Sequence, residues 1–162
     1  MKTLYLLRHA KSSWKHDLPD HKRPLKKRGR NDAKLVSEYV KTKLPAPMHI
    51  FSSNATRAKS TAKYFRKAFQ LKKDHFSLHQ ELYDFSGQDV MKFIQTIDNE
   101  KDVVMLVGHN HAFTSIVNML GNKYIDNVPT CGFVAISFKE NHWDKITNGE
   151  TKLTVFPKQL KK

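Results

Sequence analysis

The sequence predicts an α/β fold: a three-layer sandwich in which a mostly parallel sheet is flanked by helices, with an antiparallel edge near the C-terminus. Three observations predict it. Short apolar runs alternate with segments whose apolar residues recur at helical spacing, the pattern of repeated strand–helix units. "DVVMLV" at 102–107 is a continuous apolar run, as expected of a central parallel strand covered on both faces. Phe133–Phe138 and Leu153–Phe156, joined through "KENHWDKITNGET", read as a final antiparallel pair.

The elements follow in order. Thr3–Leu7 is apolar and strand-length. Lys11–Lys27 is polar, contains Pro19 and Pro24, and reads as a loop. From Gly29 to about Lys43, Ala33, Val36, Tyr39, Val40 and Leu44 fall at helical spacing, and "PAP" at 45–47 ends that helix. Met48–Phe51 is a short strand. "SSNATRAKSTAKYFRKAF" then starts a helix with Ser53 or Asn54 as N-cap and Ala58, Thr61, Ala62, Phe65 and Phe69 on its inner face. Phe76–Leu78 is a candidate short strand, and Gly87–Ile97 is helical. A strand at 102–107 precedes "GHNHAF" and a helix through Leu120.

The 162 residues suit one domain, taken as 1–162, with one sizeable core. Lys and Arg number 29 against 15 Asp and Glu, a net charge of +14. Such a surplus favours acidic partners: phosphorylated molecules, acidic proteins, nucleic acid or anionic membrane. It concentrates at Lys22–Arg30 and at Lys161 and Lys162. Cys131 is the only cysteine, so no intrachain disulfide can form, which suits a reducing compartment. The N-terminal apolar run is too short for a signal-peptide core, and no segment is long and apolar enough to span a bilayer. The expectation is a cytoplasmic protein without membrane association.

In parallel sheets, ligands bind beyond the carboxyl ends of the strands. Arg8 and His9 stand at one such end, Arg57 in the first turn of the helix after the second strand, and His109 just past "DVVMLV". If those strands are neighbours, two guanidiniums and two imidazoles converge. Guanidiniums grip phosphoryl oxygens bidentately. Backbone N–H groups opening the helices near Asn54 and Asn110 add positive potential. Binding alone needs no histidine, but a neutral imidazole is a competent nucleophile near neutral pH.

"RHA" after the first strand, "SSNATRAKSTA" and "GHN" together resemble the signatures of the histidine phosphatase superfamily, in its order and separations. "RHAKSSW", "RPLKKRGR" and the short chain are similar to its SixA-type phosphohistidine phosphatase branch. Ala10 stands where the superfamily usually has glycine, a departure common in that branch. The resemblance implies His9 as the nucleophile that carries a transient phosphoryl group. It implies Arg8, Arg57 and His109 as the clamp on the phosphoryl oxygens, and Arg23 as a further arginine lining the pocket. Ser12 is a candidate at the pocket rim and Asn110 a candidate substrate-binding residue. No metal or other cofactor is implied. Many superfamily members carry an acid that protonates the leaving oxygen. "HQELYDFSG" offers Glu81, placed among the substrate-binding residues, and Asp84. The SixA-type branch does not depend on such an acid, because imidazole can depart already protonated.

The function expected is a metal-independent phosphatase with a phosphohistidine enzyme intermediate, acting on phosphohistidine of a signalling or phosphotransfer protein. The alternatives are a broad phosphomonoesterase on small phosphate esters and, in a different class, a non-catalytic phosphate- or nucleic-acid-binding module. The partner expected is a phosphorylated protein or small phosphate ester, and a monomer is favoured. "RPLKKRGR" lacks the interleaved aromatics of a nucleic-acid surface, with only Trp14 nearby. His109 and His111 form an H-x-H pair, but no carboxylate close in sequence completes a metal site. His16, His21, His49, His75, His79 and His142 read as structural or exposed. The basic loop from Lys11 to Arg28 reads as an open rim rather than a closed cap.

Overall fold

The computed structural model describes residues 1–161; Lys162, in the C-terminal basic pair, lies outside the described residues. One six-stranded sheet holds β1 (Lys2–Arg8), β2 (His49–Ser53), β3 (Phe76–His79), β4 (Val103–Gly108), β5 (Phe133–Phe138) and β6 (Glu150–Val155), in the order β3-β2-β4-β1-β5-β6. The first four strands of that order run parallel. β5 is antiparallel to both β1 and β6, which makes the expected antiparallel edge.

Strand side chains alternate between faces, so each central strand feeds two cores. Leu4 and Leu6 of β1, with Val104 and Leu106 of β4, enter one core with α3 (Gln88–Gln95) and α4 (Ala112–Leu120). Tyr5 and Leu7, with Met105 and Val107, enter the other with α1 (Lys27–Val40) and α2 (Thr56–Ala68). A short α5 (Pro157–Leu160), not expected from the sequence, packs against α1. Both faces of β1 and β4 are therefore covered, which is why Leu4–Leu7 and Val103–Val107 are continuous apolar runs.

Several boundaries differ from the sequence expectation by a few residues, and three of the differences have a tertiary reason. α1 begins at Lys27, two residues before Gly29, because Leu25 is buried in the core and bridges Ser12. A Cβ on Gly29 would lie 2.1 Å from the Lys11 carbonyl oxygen, so glycine here permits the first turn of α1 to press on the chain just after β1. β6 starts at Glu150 rather than Leu153, extended by pairing with β5 past a register shift at Ala135/Ile136. The N-cap of α2 is Ala55, without a side-chain cap bond, rather than Ser53 or Asn54. Ser53 instead turns its hydroxyl toward β4, with consequences for the site.

Candidate active site

The register of the parallel strands aligns their tips. Arg8 pairs with Gly108, and Ser52 with Val107. Beyond these pairs the His9 N–H donates to the Gly108 carbonyl at 3.0 Å, and the His9 and His109 ring centroids lie 5.2 Å apart. Ser53 Oγ lies 2.8 Å from His109 Nε2. The basic side chains expected at three separate strand ends thus meet at one spot.

His9 is held in one tautomer from two sides. Its Nδ1 lies 2.8 Å from the Ala10 carbonyl oxygen, which can only accept, so Nδ1 carries the proton. The Arg57 Nε–H donates to His9 Nε2 at 3.3 Å, which requires a lone pair there. Burial depresses the His9 pKa well below its ordinary value; the charges of Arg57 and Arg8 and the His109 ring push the same way, against the Ala10 bond. The result is a neutral imidazole with its Nε2 lone pair beside a guanidinium, the form a nucleophile needs.

Arg57 is 2% exposed. Thr61, one helical turn further along α2, donates its hydroxyl to the Arg57 carbonyl at 2.7 Å and accepts the Ala10 N–H at 2.9 Å. This fastens the first turn of α2 to the β1 tip. Arg8 is steadied by the chain entering β5: its Nη1 donates to Val128 O at 2.9 Å, while its carbonyl accepts the Cys131 N–H. Burial and the neighbouring Arg57 charge both lower the Arg8 pKa. His109, fully buried, is pushed down to about 3, chiefly by burial and then by Arg57. The Ser53 hydroxyl occupies the Nε2 side of that neutral ring, which leaves Nδ1 as its open nitrogen. Arg8 Nε and His109 Nδ1 are buried and have no hydrogen-bond partner among the described residues. Buried polar groups are ordinarily hydrogen-bonded, and the Arg8 Nε–H is a donor suited to an oxygen of an anionic guest.

The sequence reading missed the group that closes this cluster at the solvent side. The Asp20 carboxylate pairs with Arg57 Nη2 at 2.9 Å and Arg23 Nε at 3.2 Å, and accepts the Tyr83 hydroxyl at 2.5 Å. The Asp20 carbonyl also accepts from Arg57 Nη1 at 2.7 Å. Although burial pulls upward, the bonds from Tyr83, Arg57 and Arg23 hold this carboxyl down to about 2. Arg23 donates to Ser12 Oγ at 2.7 Å, and the Trp14 ring lies 3.5 Å from its guanidinium carbon. Arg23 and Ser12 therefore join the cluster as expected. The Lys11–Arg28 loop, however, is not simply an open rim. Its Asp20 turn is anchored on Arg57, and His9 is 7% exposed. The only sequence signal for Asp20 is a carboxylate inside a basic stretch. Thr61, Ser53 and Tyr83 left none that separates them from ordinary core and turn residues.

Asn110 spends its side chain on the fold. Its Nδ2 donates to Asn127 Oδ1 at 2.8 Å, and its Oδ1 accepts from the Thr114 N–H at 2.9 Å at the start of α4. Glu81 is exposed, and no hydrogen bond joins it to the cluster among the described residues. Asp84 accepts the backbone N–H groups of Ser86, Gly87, Asp89 and Val90 and caps α3. Burial raises its pKa, but those bonds outweigh it and hold the carboxyl below its ordinary value. It is thus ionised and saturated. His111 is exposed whereas His109 is buried, and no group of three or more His, Cys, Asp or Glu among the described residues is arranged to hold a metal ion.

Comparison with known proteins bears on the family and the fold. Residues 4–86 match the histidine phosphatase superfamily (branch 1). An uncharacterized chloroplastic protein of Arabidopsis thaliana is 31% identical over 155 residues, covering 88% of this chain and 69% of that one. An uncharacterized protein of Mycobacterium tuberculosis is 25% identical over 160 residues, covering 93% and 98%. Among solved structures, the protein histidine phosphatase SixA complexed with tungstate superposes with a TM-score of 0.83 at 19% identity, covering 98% of this chain and 99% of that one. An Agrobacterium tumefaciens protein described as a phosphohistidine phosphatase SixA gives 0.82 at 24% identity, covering 96% and 98%. At those identities the superpositions establish the fold. The family match, covering both "RHA" and "SSNATRAKSTA", establishes more: this chain belongs to the histidine phosphatase superfamily.

Proposed function

We propose that the protein is a metal-independent phosphatase that works through a phosphohistidine enzyme intermediate and acts on phosphohistidine of a partner protein. The observation that carries the reading is the fixed tautomer of His9: a neutral ring, Nδ1 bonded to Ala10 and Nε2 free of a proton beside Arg57. In the reaction the Nε2 lone pair attacks phosphorus and the bond to the leaving group breaks with its electron pair. Arg8, Arg57 and His109 hold the three phosphoryl oxygens as charge develops on them. Water then attacks the same phosphorus, the P–N bond breaks with its electron pair returning to His9 Nε2, and phosphate is released. Two guanidiniums supply the positive charge that a metal ion would otherwise bring. The same chemistry on a partner protein is supported by the SixA structures, whose names carry histidine phosphatase activity, and by the +14 charge, which suits an acidic phosphoprotein.

The test compares a phosphohistidine-bearing protein with p-nitrophenyl phosphate, in chelator, at two ionic strengths. The expected result is a much higher kcat/KM on the protein, falling as salt screens the encounter. A small ester hydrolysed far faster than any phosphohistidine protein, without salt dependence, contradicts the substrate assignment. Activity lost in chelator and restored by one metal contradicts the mechanism.

A further inference from the structure

Two features of the site remain unused by the mechanism: an ionised carboxylate at its mouth, and the absence among the described residues of a protonated one beside it. Asp84 is bound by four backbone N–H groups, and Glu81 stands exposed with no bond to the cluster. Asp20 is tied by two arginines and Tyr83. None of the three is poised to give a proton to a departing alkoxide. Exposure orders the site by depth. His9, Arg57 and His109 form a floor, while the Asp20 side chain is 44% exposed, with Phe85 and Trp14 further out. In-line attack from the floor directs the leaving group outward, past Asp20. The walls there are aromatic: Tyr83 and Phe85 lie 5.2 and 5.0 Å from the His109 ring, and Trp14 covers Arg23.

We propose that Asp20 is a specificity-determining residue, whose carboxylate at the mouth selects a cationic, planar leaving group, the protonated ring of an N-phosphoryl imidazole. This inference rests on the proposed phosphatase function and names the part of the site that chooses its substrate. Asp20 need not leave for the phosphoryl group to enter. Arg57 has five N–H groups and commits three, to His9 Nε2, the Asp20 carbonyl and the Asp20 carboxylate. Two remain, along with the unpartnered Arg8 Nε. In the protonated substrate, phosphorus sits on one ring nitrogen and hydrogen on the other. Asp20 accepts a hydrogen bond from that N–H. When His9 attacks, the P–N electron pair returns to the ring, which leaves as neutral imidazole still carrying its proton. No acid is needed. An ester gains nothing from Asp20: its bridging oxygen carries no cation, and an alkoxide would need a proton this carboxylate does not hold. The charged and titratable groups facing Asp20 are Arg57, Arg23, Tyr83 and His109; the bonds from Tyr83 and the two arginines keep it anionic, while His109 is neutral.

The experiment measures kcat/KM for N-phosphorylimidazole and p-nitrophenyl phosphate across pH 6 to 9, in wild type, Asp20→Asn and Asp20→Glu. Loss of one charge-assisted hydrogen bond predicts that Asp20→Asn lowers the imidazole-to-ester ratio about tenfold or more. The factor lost is the same across the range, because both enzymes draw on the same ring-protonated fraction of free substrate, whose decline with pH lowers kcat/KM of each alike. Asp20→Glu, which keeps the charge, recovers part of the ratio. An unchanged ratio overturns the proposal, whether both substrates rise together, as when Asp20 merely blocks the arginines, or fall together, as when it only braces Arg57. Labelled phosphate on His9 is followed in parallel. Its absence condemns the nucleophile, whereas normal labelling with an unchanged ratio condemns only the role of Asp20. Wild type that labels from the ester but does not turn over phosphorylimidazole also overturns the selection.

Discussion

Arg57 shows how much of the account rests on side-chain shape rather than charge. Its Nε reaches His9 Nε2 while its two terminal nitrogens reach the Asp20 turn, three directions that only a planar fork serves at once. Lysine offers one point charge on a flexible stem. Arg57→Ala should lower turnover on the order of a hundredfold or more, as removal of a transition-state donor typically does. Arg57→Lys should restore little of it. Steady-state kinetics on both variants check this, and full rescue by lysine would mean that only net charge matters. Arg8, His9, Arg57 and His109 were legible in the sequence because each carries unusual chemistry at a strand or helix terminus. Asp20, Ser53, Thr61 and Tyr83 were not, because their roles arise from contacts across long stretches of chain. Tyr83 and Asp20 are 63 residues apart yet share a hydrogen bond.

At the level of elements, helix starts do two different jobs. The first turn of α2 has no capping side chain. Ser53 is drawn away to His109, and Thr61 holds the turn against Ala10 instead. At the start of α3, Asp84 accepts the Gly87, Asp89 and Val90 N–H groups. That contrast gives a clean test of the carboxylates. Asp84→Ala should cost about 0.5–2 kcal/mol of stability, the usual worth of a cap, and leave kcat within a few-fold below the melting transition. Denaturant melts and kinetics on the folded variant measure the two effects. A kcat loss of a hundredfold with unchanged stability would make Asp84 an acid catalyst after all. The strands were readable from sequence for a simple reason. β1 and β4 are covered on both faces and so carry continuous apolar runs, whereas β6 is partly exposed and its first three residues, Glu150, Thr151 and Lys152, read as loop. The short α5 carries too little periodicity to register.

Across the whole molecule, burial lowers the pKa of four histidines: His9, His79, His109 to about 3 and His49 to about 4. His49 lies 2.8 Å from the Ser77 hydroxyl, which lies 2.7 Å from His79 Nε2, so a residue that read as merely structural links β2 to the edge strand β3. In the unfolded chain each imidazole takes up its proton near pH 6.5. Below that pH the unfolded state binds more protons, so stability rises with pH. The contribution is fully present above about 6.5. It is lost as pH falls toward about 4 for His49 and about 3 for His109. Each such group contributes up to about 1.4 kcal/mol per pH unit within its window. Urea melts from pH 7.5 to 4.5 should show a steady fall in midpoint below about 6.5. A flat profile would mean that these rings are protonated in the folded protein. Phosphate bound to the arginines should offset part of the loss, because it binds only the folded form.

The central claim is that His9 Nε2 attacks phosphorus. Brief incubation of wild type with labelled substrate, followed by alkaline quench and peptide mapping, measures it most directly. The account predicts acid-labile label on His9. It predicts in addition that His9→Ala has no label and no turnover but still binds phosphate, since Arg8 and Arg57 remain. Label on another residue, or undiminished turnover in His9→Ala, would contradict it.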